Sequence, residues 1–213
     1  MNKTSQLFLY LFLALAAIAF YNSTVPAPAG VSSGTRFLAL SGFFLITVTL
    51  LIGPLAVIWP QRFAQLVEPR RAVGIASFFL VLFHGILSLS FQLGWDFSLF
   101  FSYLPFTAGT IALAIFTPLA LTSADWATKL LGTPVWKGIQ RFNYLAFALS
   151  LYHFIFKANG LDLSRPNLVE FLLVIFALAT IGFQVAGFFV VRRRKIDALK
   201  KQVSSQVLQQ QQP

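Results

Sequence analysis

The chain has 213 residues, of which 57% are hydrophobic and only 10% charged, and its mean hydropathy is +0.77. A soluble domain of that length needs a far more charged surface, so the solvent implied is the lipid bilayer. The absence of cysteine excludes disulfides, thiolate metal sites, iron–sulfur clusters and cysteine nucleophiles, and two histidines with six acids exclude most hydrolytic chemistry.

Six apolar runs follow in chain order, at residues 7–21, 37–59, 72–93, 106–122, 139–156 and 169–191. A helix needs about 20 residues to cross the hydrocarbon core, and backbone polar groups in lipid must pair within the segment itself. The fold predicted is therefore all-α, a polytopic membrane protein with six transmembrane helices in a bundle. The first run reads as a helix rather than a signal peptide, because Tyr21-Asn22-Ser23-Thr24-Val25-Pro26 is a weak cleavage context. Pro54, Pro118 and Gly182 do not interrupt the assignment, since membrane helices tolerate them.

The net charge of +10 sits at the ends of these runs, where it reads as lipid headgroup anchoring; nucleic acid is not expected as a partner. Lys3, then Arg62, Arg70 and Arg71, then Lys129, Lys137 and Arg141, and finally Arg192 to Lys195 fall on alternate connections. The positive-inside rule places those connections and both termini in the cytoplasm, with a bacterial inner membrane as the expected location. Residues 1–191 form the membrane domain. Residues 192–213 form a short basic, glutamine-rich tail that continues the last helix around Ile196 and Leu199 before fraying. Asp96, Asp125 and Glu170 lie at helix borders, where solvation or capping is expected.

His84 and His153 lie deep in the third and fifth runs. His84 is 13 residues beyond Arg71 and His153 is 13 beyond Gln140, which puts each roughly 20 Å from the inner boundary at about 1.5 Å per residue. Odd-numbered helices run in one direction, so the two imidazoles meet at one level in the outer half of the bilayer. Gly74, Ser77, Val81, His84 and Ser88 line one face of the third helix, and Asn143, Ala146, Ser150 and His153 one face of the fifth. Small-residue stripes are common wherever membrane helices pack, so the stripes alone mean packing. Two intramembrane histidines at equal depth point further, to shared ligation of haem iron, with small side chains admitting a planar macrocycle. Lys157, one turn beyond His153, is placed to pair with a haem propionate.

These residues carry a resemblance. Arg70-Arg71-Ala72-Val73-Gly74-Ile75 leading to Leu82-Phe83-His84 resembles the third-helix region of ferric reductase-like transmembrane domains. The stretches Pro118 to Ser123, Leu131-Gly132 with Trp136, and Arg141 to Leu145 running on to Tyr152-His153-Phe154 are similar to the following helices of that family. Within it they resemble most the haem-binding membrane subunits of periplasmic methionine sulfoxide reductase systems, over about residues 37–156. The resemblance implies a six-helix bundle holding b-type haem on histidines of the third and fifth helices, which match His84 and His153. It also shows a departure: Gln140 stands where the family's motif has a further histidine, and neutral glutamine is a poor iron ligand. One haem in the outer half, with no conventional inner haem, is the expectation.

The function so implied is electron transfer to an acceptor on the outer face, as a possible oxidoreductase subunit with a redox partner protein. The donor stays open between a quinol in the membrane, a flavin (FMN or a flavoprotein) at the inner face near Gln140 and Arg141, and an outer-side donor. The alternative is a divergent haem-free membrane scaffold or sensor. A transporter is disfavoured, because Asp and Glu occupy only links and tails.

Overall fold

The computed structural model describes residues 2–27, 31–156 and 168–210, and within them every regular element is helical. In chain order these are α1 (Lys3–Thr24), α2 (Ser33–Ile58), α3 (Pro60–Phe63) with a 3-10 turn (Ala64–Leu66), α4 (Arg70–Phe91) and α5 (Leu99–Ser102). They continue with α6 (Leu104–Leu121), α7 (Asp125–Gln140), α8 (Phe142–Phe156) and α9 (Leu168–Gln210). Five of them, α1, α2, α4, α6 and α9, are long and apolar enough to cross a membrane. The fifth apolar run is not a single helix. Its first residues, Ile139 and Gln140, close α7, and α8 begins only at Phe142 and has 15 residues. Within the described residues that is about 22 Å of helix.

The connection between α6 and α8 is itself helical. α7 bends at Gly132, whose φ of +72° suits a residue without Cβ, and Pro134 follows two residues later. Its first residue, Asp125, accepts a hydrogen bond from Arg71 and so ties α7 to the start of α4.

α2 is the axis of the bundle and packs against α1, α4 and α9, with Leu40, Thr47 and Leu50 wholly enclosed. It approaches α4 closely because both faces are small. A Cβ on Gly42 would sit 2.7 Å from Val81 Cγ1, and Ser77 Oγ donates to the Gly42 carbonyl at 3.0 Å. Phe43 stacks on Phe154 at 4.5 Å and on Phe147 at 5.9 Å, which joins α2 to α8.

Pair contacts give the directions. α1 runs antiparallel to α2: Lys3 Nζ donates to the Gln61 and Arg62 carbonyls, while Asn22 Nδ2 donates to that of Ser33. α2 and α4 are antiparallel, with Gly42 against Val81 and Gly53 against Arg70. α2 and α9 are parallel, with Phe44 beside Phe176 and Pro54 beside Gly187. One end of the bundle thus gathers the start of α2 and the end of α4; the other gathers the basic residues of the links.

Within α2, Pro54 has no N–H to offer the Leu50 carbonyl one turn back. Gln184 of α9 supplies it instead, donating from Nε2 at 2.6 Å.

Two predictions about the last helix need correction. α9 does not fray after its basic cluster but runs 43 residues, to Gln210. No glycine or proline follows Gly187 until Pro213, and the intervening Lys, Arg, Gln, Ala and Leu are strong helix formers. Glu170, expected at a solvated border, is only 5% exposed. It shares a helical face with the buried Leu173, Val174 and Ala177, and that stripe carries it inward.

Candidate functional site

α4 carries His84 and α8 carries His153, and the structure brings the two rings together with centres 6.3 Å apart and planes at 60°. Each ring is held from a neighbouring helix. His84 Nδ1 lies 3.1 Å from the Thr35 carbonyl of α2, and His153 Nδ1 lies 2.8 Å from the Pro105 carbonyl of α6. A carbonyl oxygen only accepts, so each Nδ1 carries the proton, and in the neutral ring the lone pair then belongs to Nε2. A carbonyl accepting from Nδ1–H fixes the tautomer and the orientation of the ring, as it does for histidines that hold a metal.

The spacing can be compared with what coordination requires. A metal–imidazole bond of about 2.0 Å and about 1.1 Å from nitrogen to ring centre, doubled across one ion, separate the ring centres by roughly 6.2 Å. The observed 6.3 Å matches that. A bare divalent ion would want about four protein ligands. Among the described residues, no three His, Asp or Glu side chains gather to provide them. A planar macrocycle that brings its own four nitrogens would ask only two ligands of the chain, and His84 and His153 are the residues that could hold it.

Neighbouring groups fit the same group. Gly109 of α6 faces the His153 ring, where a Cβ would come within 2.9 Å of Nδ1 and 3.0 Å of Cγ, so only glycine leaves the ring its position. Ser88, one turn beyond His84, has a buried hydroxyl oxygen with no hydrogen-bond partner. Beside Thr35, Arg36 is 4% exposed. Its guanidinium donates to Asn22 Oδ1 at 2.8 Å, to the Pro26 carbonyl at 2.9 Å, and to the carbonyls of Asn22 and Val25, and lies over the Tyr21 ring. It thereby satisfies carbonyls left over at the end of α1 and anchors the first turn of α2, from which the Thr35 carbonyl reaches His84.

Gln140 is engaged elsewhere. Its Nε2 donates to the Leu119 carbonyl at 3.3 Å and to Thr122 Oγ1 at 3.2 Å, and Trp136 Nε1 donates to the Thr122 carbonyl at 2.9 Å. Both side chains cap the end of α6. Lys157, the third residue singled out from the sequence, lies outside the described residues.

Sequence reasoning found both histidines but missed Thr35, Pro105 and Gly109. The two carbonyls carry no side-chain signal and lie 49 and 48 residues from their histidines. Arg36 had a signal, a lone cation at the border of an apolar run, though not one that announces burial.

Comparison with known proteins decides the family. The model of the ferric reductase like transmembrane component family matches residues 38–151. The chain belongs to that family. It is an integral membrane protein accordingly; His84 falls inside the matched span and His153 two residues beyond it. Over 134 residues, 61% of the chain, it is 31% identical to curated relatives from Brucella ovis, Brucella canis and Brucella suis, each named the heme-binding subunit MsrQ of protein-methionine-sulfoxide reductase. The match covers 59% of the length of those relatives.

Proposed function

We propose that this ferric reductase-like protein is a haem b-binding electron-transfer protein of a bacterial inner membrane, with one haem held axially by His84 and His153. The observation that carries the reading is the pair of imidazoles with ring centres 6.3 Å apart, each with Nδ1 tied to a backbone carbonyl. When bound, haem supplies reversible one-electron chemistry at its iron; the chain supplies ligands, orientation and a dry slot. Lys157 pairs with a propionate in this reading. Residues 1–191 make up a six-span domain, with α8 completing the count, and residues 192–213 a cytoplasmic tail beside a cytoplasmic N-terminus. Alternate placement of the basic links supports that topology.

Electrons pass from quinol or a flavoprotein to an acceptor on the outer face, where a redox partner protein docks. The relatives' name, which makes each a subunit, supports a partner. An apolar cleft of about 320 Å³ between Ile111, Ile115 and Pro118 of α6 and Ile139 and Phe142 has room for a lipid-soluble donor such as quinol. The capping role of Gln140 supports the absence of an inner haem, since its amide serves α6.

The test is a dithionite-reduced minus oxidised spectrum of the purified chain with a pyridine haemochrome count, repeated on His84→Ala and His153→Ala. A low-spin b-type signal at one haem per chain, lost in both variants, is expected. An unchanged spectrum in both would refute the ligand assignment, and two haems per chain would refute the reading of Gln140. No haem in cells supplied with its precursor would leave the haem-free scaffold or sensor.

A further inference from the structure

Helical hydroxyls in this bundle follow one habit. Thr47, Thr49, Ser90, Thr110, Thr117 and Thr180 each donate to the carbonyl four residues back, at 2.8 to 3.0 Å. That bond is available to any serine or threonine in a helix and satisfies the hydroxyl locally. Ser88 does not make it. Its oxygen is buried and without a partner, although the His84 carbonyl lies one turn back on the same helix. Leaving a buried hydroxyl without its hydrogen bond is costly, so an orphan beside the candidate ligand pair points to a partner that the protein itself does not contain.

The position narrows what that partner is. Ser88 follows His84 by four residues and so shares its face of α4, about 6 Å further along the axis. That displacement leads away from the basic links, toward the end of the bundle where Tyr103 Oη donates to the Phe156 carbonyl. Ser41, the other serine with an unpartnered oxygen among the described residues, differs: it is 0% exposed on α2. It adjoins Gly42, which meets Val81 on the opposite side of His84 from Ser88. A haem is apolar except for its two carboxylates, so a hydroxyl at the slot's edge has one strong acceptor to reach.

We infer that Ser88 is a positioning residue whose hydroxyl donates a hydrogen bond to a haem propionate, fixing the rotation of the macrocycle about the His84–His153 axis. The inference rests on the haem reading above and adds a polar anchor contributed by α4 itself.

The experiment uses the full-length haem-loaded protein and compares Ser88→Thr, which keeps the hydroxyl, with Ser88→Val, its isostere without one, and with Ser88→Ala. The readouts are the propionate bending band in the resonance Raman spectrum and the midpoint potential, with haem stoichiometry as control. Ser88→Val and Ser88→Ala are expected to shift the propionate band and move the potential in the same direction, while Ser88→Thr keeps both near the parent values. All three variants matching the parent would overturn the inference while leaving the axial ligands intact. Threonine behaving like valine would overturn it too, because the effect would then follow volume. A parent protein without haem would overturn the haem reading itself, a result distinct from either.

Discussion

Gln184→Leu isolates the debt left by Pro54. The substitution keeps roughly the same volume but removes the donor that reaches the Leu50 carbonyl at 2.6 Å. That carbonyl cannot turn to its own helix, because residue 54 is proline and brings no N–H. An unsatisfied buried acceptor costs about 1–3 kcal/mol, whereas interhelical hydrogen bonds in membranes average about 0.6 and reach about 1.7 kcal/mol. A short bond to an acceptor with no alternative belongs at the upper end of the membrane range, so a loss of about 1.5 kcal/mol is expected. The greater lipophilicity of leucine largely cancels, since the unfolded chain remains in the micelle. In a Pro54→Ala background the restored N–H returns to the Leu50 carbonyl, and Gln184→Leu should then cost about 0.5 kcal/mol or less. Equilibrium unfolding of the four chains in mixed detergent micelles, followed by tryptophan fluorescence, gives the coupling directly. Equal losses in both backgrounds would refute the claim that Gln184 is there to serve a carbonyl freed by proline.

Gly109→Ala places a methyl within 2.9 Å of His153 Nδ1 and forces the ring away from the Pro105 carbonyl. Haem retention through gel filtration should weaken about 10-fold or more, the usual size of a lost second-shell contact, while the unloaded chain keeps its helicity by circular dichroism. At the opposite end, the hydrogen bond and charge of Arg71 hold the fully exposed Asp125 carboxyl below its usual range. A carboxyl lowered on folding stabilises above its unfolded value, about 3.9, and that contribution is lost as pH falls through the folded value. Thermal midpoints of the parent and of Asp125→Asn should therefore differ slightly near neutral pH and converge as pH falls through the lowered folded value, with the parent falling more steeply.

Much of this was legible in the sequence because lipid imposes so few solutions. Five of the six apolar runs each correspond to one helix, and equal counting from Arg71 and from Gln140 set His84 and His153 at one level, where their ring centres lie 6.3 Å apart. What failed did so where composition stops controlling geometry. Ile139 and Phe142 are equally apolar, so hydropathy could not reveal that the chain turns between them and shortens α8. The link holding Asp125 and Lys129 proved helical, which hydropathy could not announce because a helix that does not span the bilayer needs no long apolar run. Arg36 read as a border cation, yet carbonyls left over at the end of α1 draw it inside. Backbone acceptors such as Thr35 and Pro105 are invisible to any reading of side chains.

The four consecutive cations Arg192 to Lys195 gain a further meaning from the unbroken course of α9. Successive helical residues are set about 100° apart, so four in a row encircle the rod as a complete collar. Rotation of α9 about its axis cannot hide such a collar, and sliding by one turn, about 5.4 Å, would drag charges toward hydrocarbon at a cost that reaches about 3 kcal/mol each at mid-bilayer. The collar therefore acts as a depth stop. It sets the vertical register of α9, and through the bond from Gln184 to Leu50 it passes that register to α2, whose first turn supplies the carbonyl that orients His84.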